Sequence, residues 1–289
     1  MGKTQGRIAA LFLAPYLCFF LVLRLGPTLV GLFASLTSWN IVGSPTYIGL
    51  RNFTTLAQDQ TFAIAVKNTL YFLLLAGPAL VVGSLLLAVM MNQKIPGKRL
   101  VRTAIFIPYA VMPAIVGVIW NWMDDPHFGL INYYLGKLGI APIAWLADPT
   151  WAMPAIAIAT VWWLAGYNMI IYLAGLQDIP DEVYEAATVD GARTFQMFWH
   201  ITVPLLRPTT MIVTLLTAIT LFQIFDQVLV MTGGGPGTST LTIVQYLYVQ
   251  AFQNFNLGYG AAVGVAIFVA LVAVGVVQRW YAQRGEVPT

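Results

Sequence analysis

Three sets of acids in this 289-residue chain could move protons or hold a cation: the adjacent pairs Asp124–Asp125 and Asp181–Glu182, and Asp226 inside the apolar run LFQIFDQVLV. Two carboxylates work as acid and base when their surroundings push their pKa values apart. Adjacent acids in a polar loop share one solvated environment, so neither pair reads as a catalytic dyad. Ionisable groups within hydrophobic stretches mark ion or proton paths. Asp226 lies past the centre of its stretch, which suits a wet boundary or a cavity wall better than a mid-membrane relay. His127, His200 and the single Cys18 are too few for a metal cluster or a disulfide framework. Cys18, in an apolar run, is expected to be a small packed hydrophobe. A Walker A phosphate cradle is missing: Gly97-Lys98 is followed by Arg99, Gly136-Lys137 by Leu138, and the GGGPG run at 233–237 has no Lys. HExxH, GxSxG and CxxC do not occur. The chain is therefore expected not to be an enzyme, to hydrolyse no ATP and to bind no metal or cofactor of its own. A net charge of +3 gives no reason to expect nucleic acid.

The one long hydrophilic stretch, residues 178–208, reads DIPDEVYEAATVDGARTFQMFWHITVPLLRP, and its chemistry is that of a contact. Pro180 suits the first helical position, where its missing N–H is not needed. Asp181 and Glu182 then face the positive end of the helix dipole. The helix continues through Glu185, Ala186 and Ala187, and Gly191 stops it by accepting a left-handed cap. Thr194 is expected to cap a second helix, and Pro204 and Pro208 close the segment. Two short helices joined at a Gly make a knob whose alanines allow close approach, with Glu185 offering a charge there.

The elements that position this knob are hydrophobic. The chain is 59% hydrophobic and 9% charged, against about 25% charged in a soluble domain. A membrane-spanning helix needs about 20 apolar residues. Six stretches qualify, at 8–33, 70–91, 101–123, 151–173, 210–231 and 259–280. The first is too long for a signal peptide and is expected to be retained, with Arg24 snorkelling to the far interface. Lys3, Arg7, Lys94, Lys98, Arg99, Arg102, Arg193, Arg207, Arg279 and Arg284 fall on one side, and Arg24, Arg51, Lys67 and Lys137 on the other. The positive-inside rule then places both termini and the knob in the cytoplasm. The expectation is an all-α polytopic membrane protein with six transmembrane helices, N-in and C-in. Its outer loops are short, with a surface helix following SPTYIGLRNF and an interfacial helix near 130–138 that sets Tyr133 and Tyr134 at headgroup level.

With the elements placed, the knob resembles the EAA loop of the permease subunits of binding-protein-dependent ABC importers. That pattern is EAA, three residues, Gly, nine residues, then Ile-x-Leu-Pro. Glu185, Ala186, Ala187, Gly191, Ile201 and Pro204 fit its spacing, and Val203 replaces the Leu. YIGLRNF (47–53), IPYAVMPA (107–114), YLAGLQDIP (172–180), DGARTFQMFWHITVPLLRP (190–208) and TGGGPGTST (232–240) are similar to the carbohydrate branch, the maltose and glycerol-phosphate type. The resemblance implies one transmembrane permease domain over 1–289, with the type-1 core about 67–281 and the coupling loop at 178–208 between spans four and five. It implies a second homologous permease, two ATPase subunits that use ATP and Mg, an extracytoplasmic solute-binding protein, and the cytoplasmic membrane of a bacterium or archaeon. Glu185 would be the polar contact to the ATPase, Ala186 and Ala187 the close-packing face, and Gly191 the turn.

Sugars are held by aromatic faces and by hydrogen bonds to hydroxyls. Tyr109 and Tyr167 match cavity positions of the maltose-type permease. Thr160 and Trp163 share a helical face with Tyr167, and Thr217, Thr220 and Gln223 recur at intervals of three. These seven are the substrate-path candidates, unless the partner permease carries the contacts. Glycerol-3-phosphate is the alternative solute; it calls for fixed cations, and away from their ends the spans offer only Arg24. An ion-coupled carrier would need buried coupling groups and would gain nothing from an ATPase-docking loop.

Overall fold

An apolar helix crosses a membrane only if it is long enough and its backbone bonds close within it. In the computed structural model, residues 3–40, 43–93 and 96–283 are described. Lys94 and Arg284 of the cation count lie outside them, as do the side chains of Lys3 and Arg7. Among the described residues, Phe12–Ser35, Gln60–Asn92, Ala152–Gln177 and Leu257–Trp280 are long and apolar enough to span a membrane. Two further pairs qualify together but are bent, Lys98–Ala110 with Pro113–Met123 by 102°, and Thr194–Leu205 with Arg207–Phe222 by 67°. The count is four, or six if each bent pair is one span.

Two expected continuous spans are thus broken. The stretch at 101–123 parts at Val111 and Met112, whose ψ values are both 138°. The cause is Pro113, which drives the residue before it out of the helical region. The stretch at 210–231 ends as a helix at Phe222 and resumes only at Asp226. Asp226 therefore sits exposed in the first turn of the short helix Asp226–Met231, outside a spanning helix.

The chain divides into two compact units. One comprises Met1–Gln60 and Tyr246–Val269. Its first helix, Lys3–Phe20, passes through a π-turn, Leu21–Leu25, into Gly26–Ser35. Pro27 lacks an N–H, and the Gly26 N–H reaches back to the Leu21 carbonyl instead. Only 6% of the apolar window within Phe12–Ser35 is buried, and Cys18 is exposed on that helix rather than packed. The all-α expectation misses a small antiparallel ladder, Thr37–Ser38 with Thr46–Tyr47. Buried Asn52 donates from Nδ2 to the Ser35 and Thr37 carbonyls, both at 2.9 Å, and so pins the helix Arg51–Gln58. Asp59 accepts from the hydroxyls of Tyr246 and Tyr259.

The other unit comprises Thr61–Gln245 and Ala270–Thr289. Its central helix is Ala152–Gln177, with more than half of its apolar window buried. One core cluster gathers Phe72, Leu80, Val116, Trp120, Ile156 and Val228; a second gathers Ala88, Met91, Tyr172, Leu176, Leu206 and Val213. Small residues permit the closest approaches, as between helices in lipid generally. A Cβ at Gly166 would lie 2.1 Å from the Ile105 carbonyl oxygen, so Ala152–Gln177 and Lys98–Ala110 meet backbone to backbone there.

Candidate functional site

The knob forms as a helix, Asp181–Val189, followed by Thr194–Met197, a π-turn at Phe198–Thr202 and Val203–Leu205. Pro180 is the cap itself, extended at ψ 139°, one place before the helical position expected for it. Asp181 and Glu182 occupy the first turn. The C-terminus closes as a Schellman motif: Ala192 N–H to the Ala187 carbonyl at 2.9 Å and Gly191 N–H to the Thr188 carbonyl at 3.0 Å. Gly191 has φ +78°, which is why a Gly stands there. Thr194 does not cap the second arm. Arg193 is the cap residue, and the Gln196 side-chain oxygen accepts its N–H at 2.8 Å.

Glu182, Glu185, Ala186 and Val189 are exposed, whereas Ala187 and Ile201 are half-buried and Pro204 is exposed. The two alanines of the motif therefore differ: Ala186 shares the outward face with Glu185, and Ala187 is turned inward. Tyr184 packs on the second core cluster, and its hydroxyl lies 3.1 Å from Thr202 Oγ1.

A second constellation lies on the central helix. The ring of Tyr109 stacks on Tyr167 with centroids 4.5 Å apart and 20° between planes, and is 5.8 Å from Trp163. Trp163 Nε1 donates to the Val111 carbonyl at 3.1 Å, at the helix break. Tyr109, Trp163 and Tyr167 thus come together as one half-buried aromatic group. The hydroxyl candidates differ. Thr160 is fully buried and donates to the Ile156 carbonyl at 2.8 Å. Thr217 is buried and accepts from Asn168 Nδ2 at 2.8 Å. Thr220 returns its hydroxyl to the Leu216 carbonyl. Gln223 is exposed at the end of its helix.

Sequence reasoning passed over Asn168 and Gln227, both buried amides among apolar side chains. A lone amide in a hydrophobic run is the signal that marks Asn168, while Gln227 stands beside a charged residue and carries no such mark. Asp124, expected to be solvated, is 2% exposed, and its Oδ2 has no hydrogen-bond partner. Burial pushes its carboxyl up to about 7. Among the described residues, no group of three or more His, Cys, Asp or Glu could hold a metal ion.

Residues 66–286 match the family of binding-protein-dependent transport system inner membrane components. The chain belongs to that family. This inner membrane component is 33% identical over 279 residues to the probable starch degradation products transport system permease protein of Thermoanaerobacterium thermosulfurigenes, covering 96% of this chain and 94% of that one. It is 34% identical over 278 residues to the sn-glycerol-3-phosphate transport system permease protein of Agrobacterium fabrum, covering 95% and 94%. Among solved structures, it matches a chain of a bacterial alginate ABC transporter in complex with an alginate pentasaccharide-bound periplasmic protein. The TM-score is 0.84 at 26% identity, over 97% of this chain and 96% of that one.

Proposed function

We propose that this inner membrane component is one of two permeases forming the path of an ATP-driven sugar importer. The observation that carries the reading is its likeness, along nearly its whole length, to the alginate importer chain. Starch products are named for one of its relatives. The expected partners are a second homologous permease, two ATPase subunits using ATP and Mg²⁺, and a solute-binding protein on the other side of a bacterial or archaeal cytoplasmic membrane. The chain's N- and C-termini and its knob then face the cytoplasm. Glu185, with Glu182, Ala186 and Val189 around it, is the surface offered to the ATPase. Ala187, Gly191, Ile201 and Pro204 hold the shape of the knob. The stack of Tyr109, Trp163 and Tyr167 suits the apolar face of a sugar ring.

The test is co-purification. The tagged chain, extracted in mild detergent, should bring down a P-loop ATPase and a second permease. Glu185→Lys with Gly191→Leu should lose the ATPase. A chain that purifies alone and moves solute down an ion gradient would refute the reading. The Agrobacterium relative supports a second solute, glycerol-3-phosphate. A co-purified binding protein that retains a phosphate ester rather than a neutral sugar would establish it.

A further inference from the structure

Motion of the knob can reach the membrane helix Arg207–Phe222 by two routes. One is along the chain, through the left-handed turn at Gly191, a single helical turn and the π-turn Phe198–Thr202. That route turns at Gly191, whose left-handed φ of +78° separates the first arm from the second. The other is across the knob, through Tyr184. Its ring packs on the cluster that includes Ala88, Tyr172, Leu176 and Leu206, and its hydroxyl meets Thr202 Oγ1 at 3.1 Å. Thr202 is 6% exposed and lies four residues before Leu206, which is 1% exposed and directly precedes the membrane helix.

The π-turn sets this contact. Val203 N–H bonds to the Phe198 carbonyl, five residues back. One inserted residue turns everything after it by about 100° relative to an uninterrupted helix. The insertion therefore decides which side chain of the second arm faces Tyr184. Thr202 Oγ1 also reaches the Met197 carbonyl, at 3.4 Å, a longer and weaker contact. Beside the bridge is space rather than packing: a cavity of about 360 Å³ lined by Asn92, Leu176, Asp181, Met197 and Thr202 with Tyr184 itself. Apart from the bridge, the two arms meet through Thr188 and the Met197 sulfur at 4.0 Å.

We propose that the Tyr184–Thr202 contact is the strut that passes displacement of the knob to the helix Arg207–Phe222, with Tyr184 as a positioning residue for coupling. This rests on reading the knob as the ATPase-docking element. Tyr184→Phe keeps the ring and removes the hydroxyl, Thr202→Val removes the other half, and Thr202→Ser restores it.

The experiment uses the assembled importer in nanodiscs, in a Cys18→Ser background. Spin labels are placed at Asp190, which is exposed and outside the surface offered to the ATPase, and at Ile212, which is 54% exposed, and distances are measured without nucleotide and after vanadate trapping of ATP. In the wild type, one narrow distance should persist in both states, because knob and helix move as one body. Tyr184→Phe and Thr202→Val should each broaden and shift it on trapping. The double variant should be no worse than either single one, and Thr202→Ser should behave as wild type. Unchanged distances in the single variants, additive effects, or a wild type that already broadens would overturn the strut alone. Failure of any ATPase to assemble with the wild-type chain would overturn the docking reading, and the strut with it.

Discussion

Gly166→Ala is the sharpest single test of how the aromatic group is held. The new Cβ would lie 2.1 Å from the Ile105 carbonyl oxygen, 2.7 Å from its carbon and 2.8 Å from the Phe106 Cα. All three are backbone atoms, so a rotamer change gives no relief. Restoring 3.0 Å to the oxygen, the closest that real Cβ atoms tolerate, requires Lys98–Ala110 to retreat by about 0.9 Å. Overpacking of this kind costs about 1–3 kcal/mol. A destabilisation of 1 kcal/mol lowers Tm by about 2–4 °C in domains of 150–250 residues, so a loss of about 2–12 °C is expected. The retreating helix carries Tyr109, and its 4.5 Å stack on Tyr167 should open. The assay is thermal unfolding of the detergent-purified protein, followed by transport of whichever solute the binding protein retains. Gly83→Ala is the control: it is another helical Gly, with no atom within 4 Å of an added Cβ, and should be neutral or stabilising by up to about 1 kcal/mol. If Gly166→Ala melts with Gly83→Ala and transports normally, the close approach does not position the stack.

Three further outcomes follow from the geometry. Asp124 titrates in the folded state at about 7, above the 3.8 of a free carboxyl, so the folded form holds its proton more tightly. Its contribution is complete below pH 4 and is lost as pH rises through 7, by at most about 4 kcal/mol; Tm should fall from pH 5 to pH 8 in the wild type, and less in Asp124→Asn. Asn168→Leu strips Thr217 of its donor and should cost about 0.6–1.7 kcal/mol, with part regained in Asn168→Leu/Thr217→Val, read as Tm. Gly191→Ala meets open space but a φ of +78°, a conformational cost of about 1–2 kcal/mol; it should raise proteolysis near residues 189–194, and Gly191→Asn should do so less.

What was legible in the sequence is what depends on local chemistry. The knob could be read because Asp181, Glu182 and Gly191 each answer to the ends of one short helix. The four unbroken spans could be read because length and apolarity suffice for them. The breaks at Val111–Met112 and Gln223–Phe225 were missed because composition is blind to direction: the same apolar residues suit a straight span and a bent one. Pro113 carried the first warning; the second break has no proline to announce it. The burial of Asp124 is hidden from sequence for a related reason. Whether a loop carboxylate meets water is decided by what folds over it, and no neighbour in sequence reports that.

The break at Val111–Met112 also builds the aromatic group. An uninterrupted helix through residues 98–123 would use its own carbonyls. Here Pro113 extends Met112 and the helix restarts, so that the Ile115 N–H bonds to the Met112 carbonyl at 3.0 Å and the Val111 carbonyl accepts from Trp163 Nε1 at 3.1 Å. That bond ties Trp163 to the break two residues beyond Tyr109, while Gly166, three residues on, brings the two backbones together. Tyr109 is then held between Trp163 and Tyr167. The bend, the indole bond and the glycine therefore form one device, and each part has a reason only if the others are present. Filling the break by Pro113→Ala should accordingly disturb the stack as much as Gly166→Ala does, although no side chain of the stack is touched. A Pro113→Ala protein with an undisturbed Trp163 environment, judged by its tryptophan emission against Trp163→Phe, would separate the parts and refute the linkage.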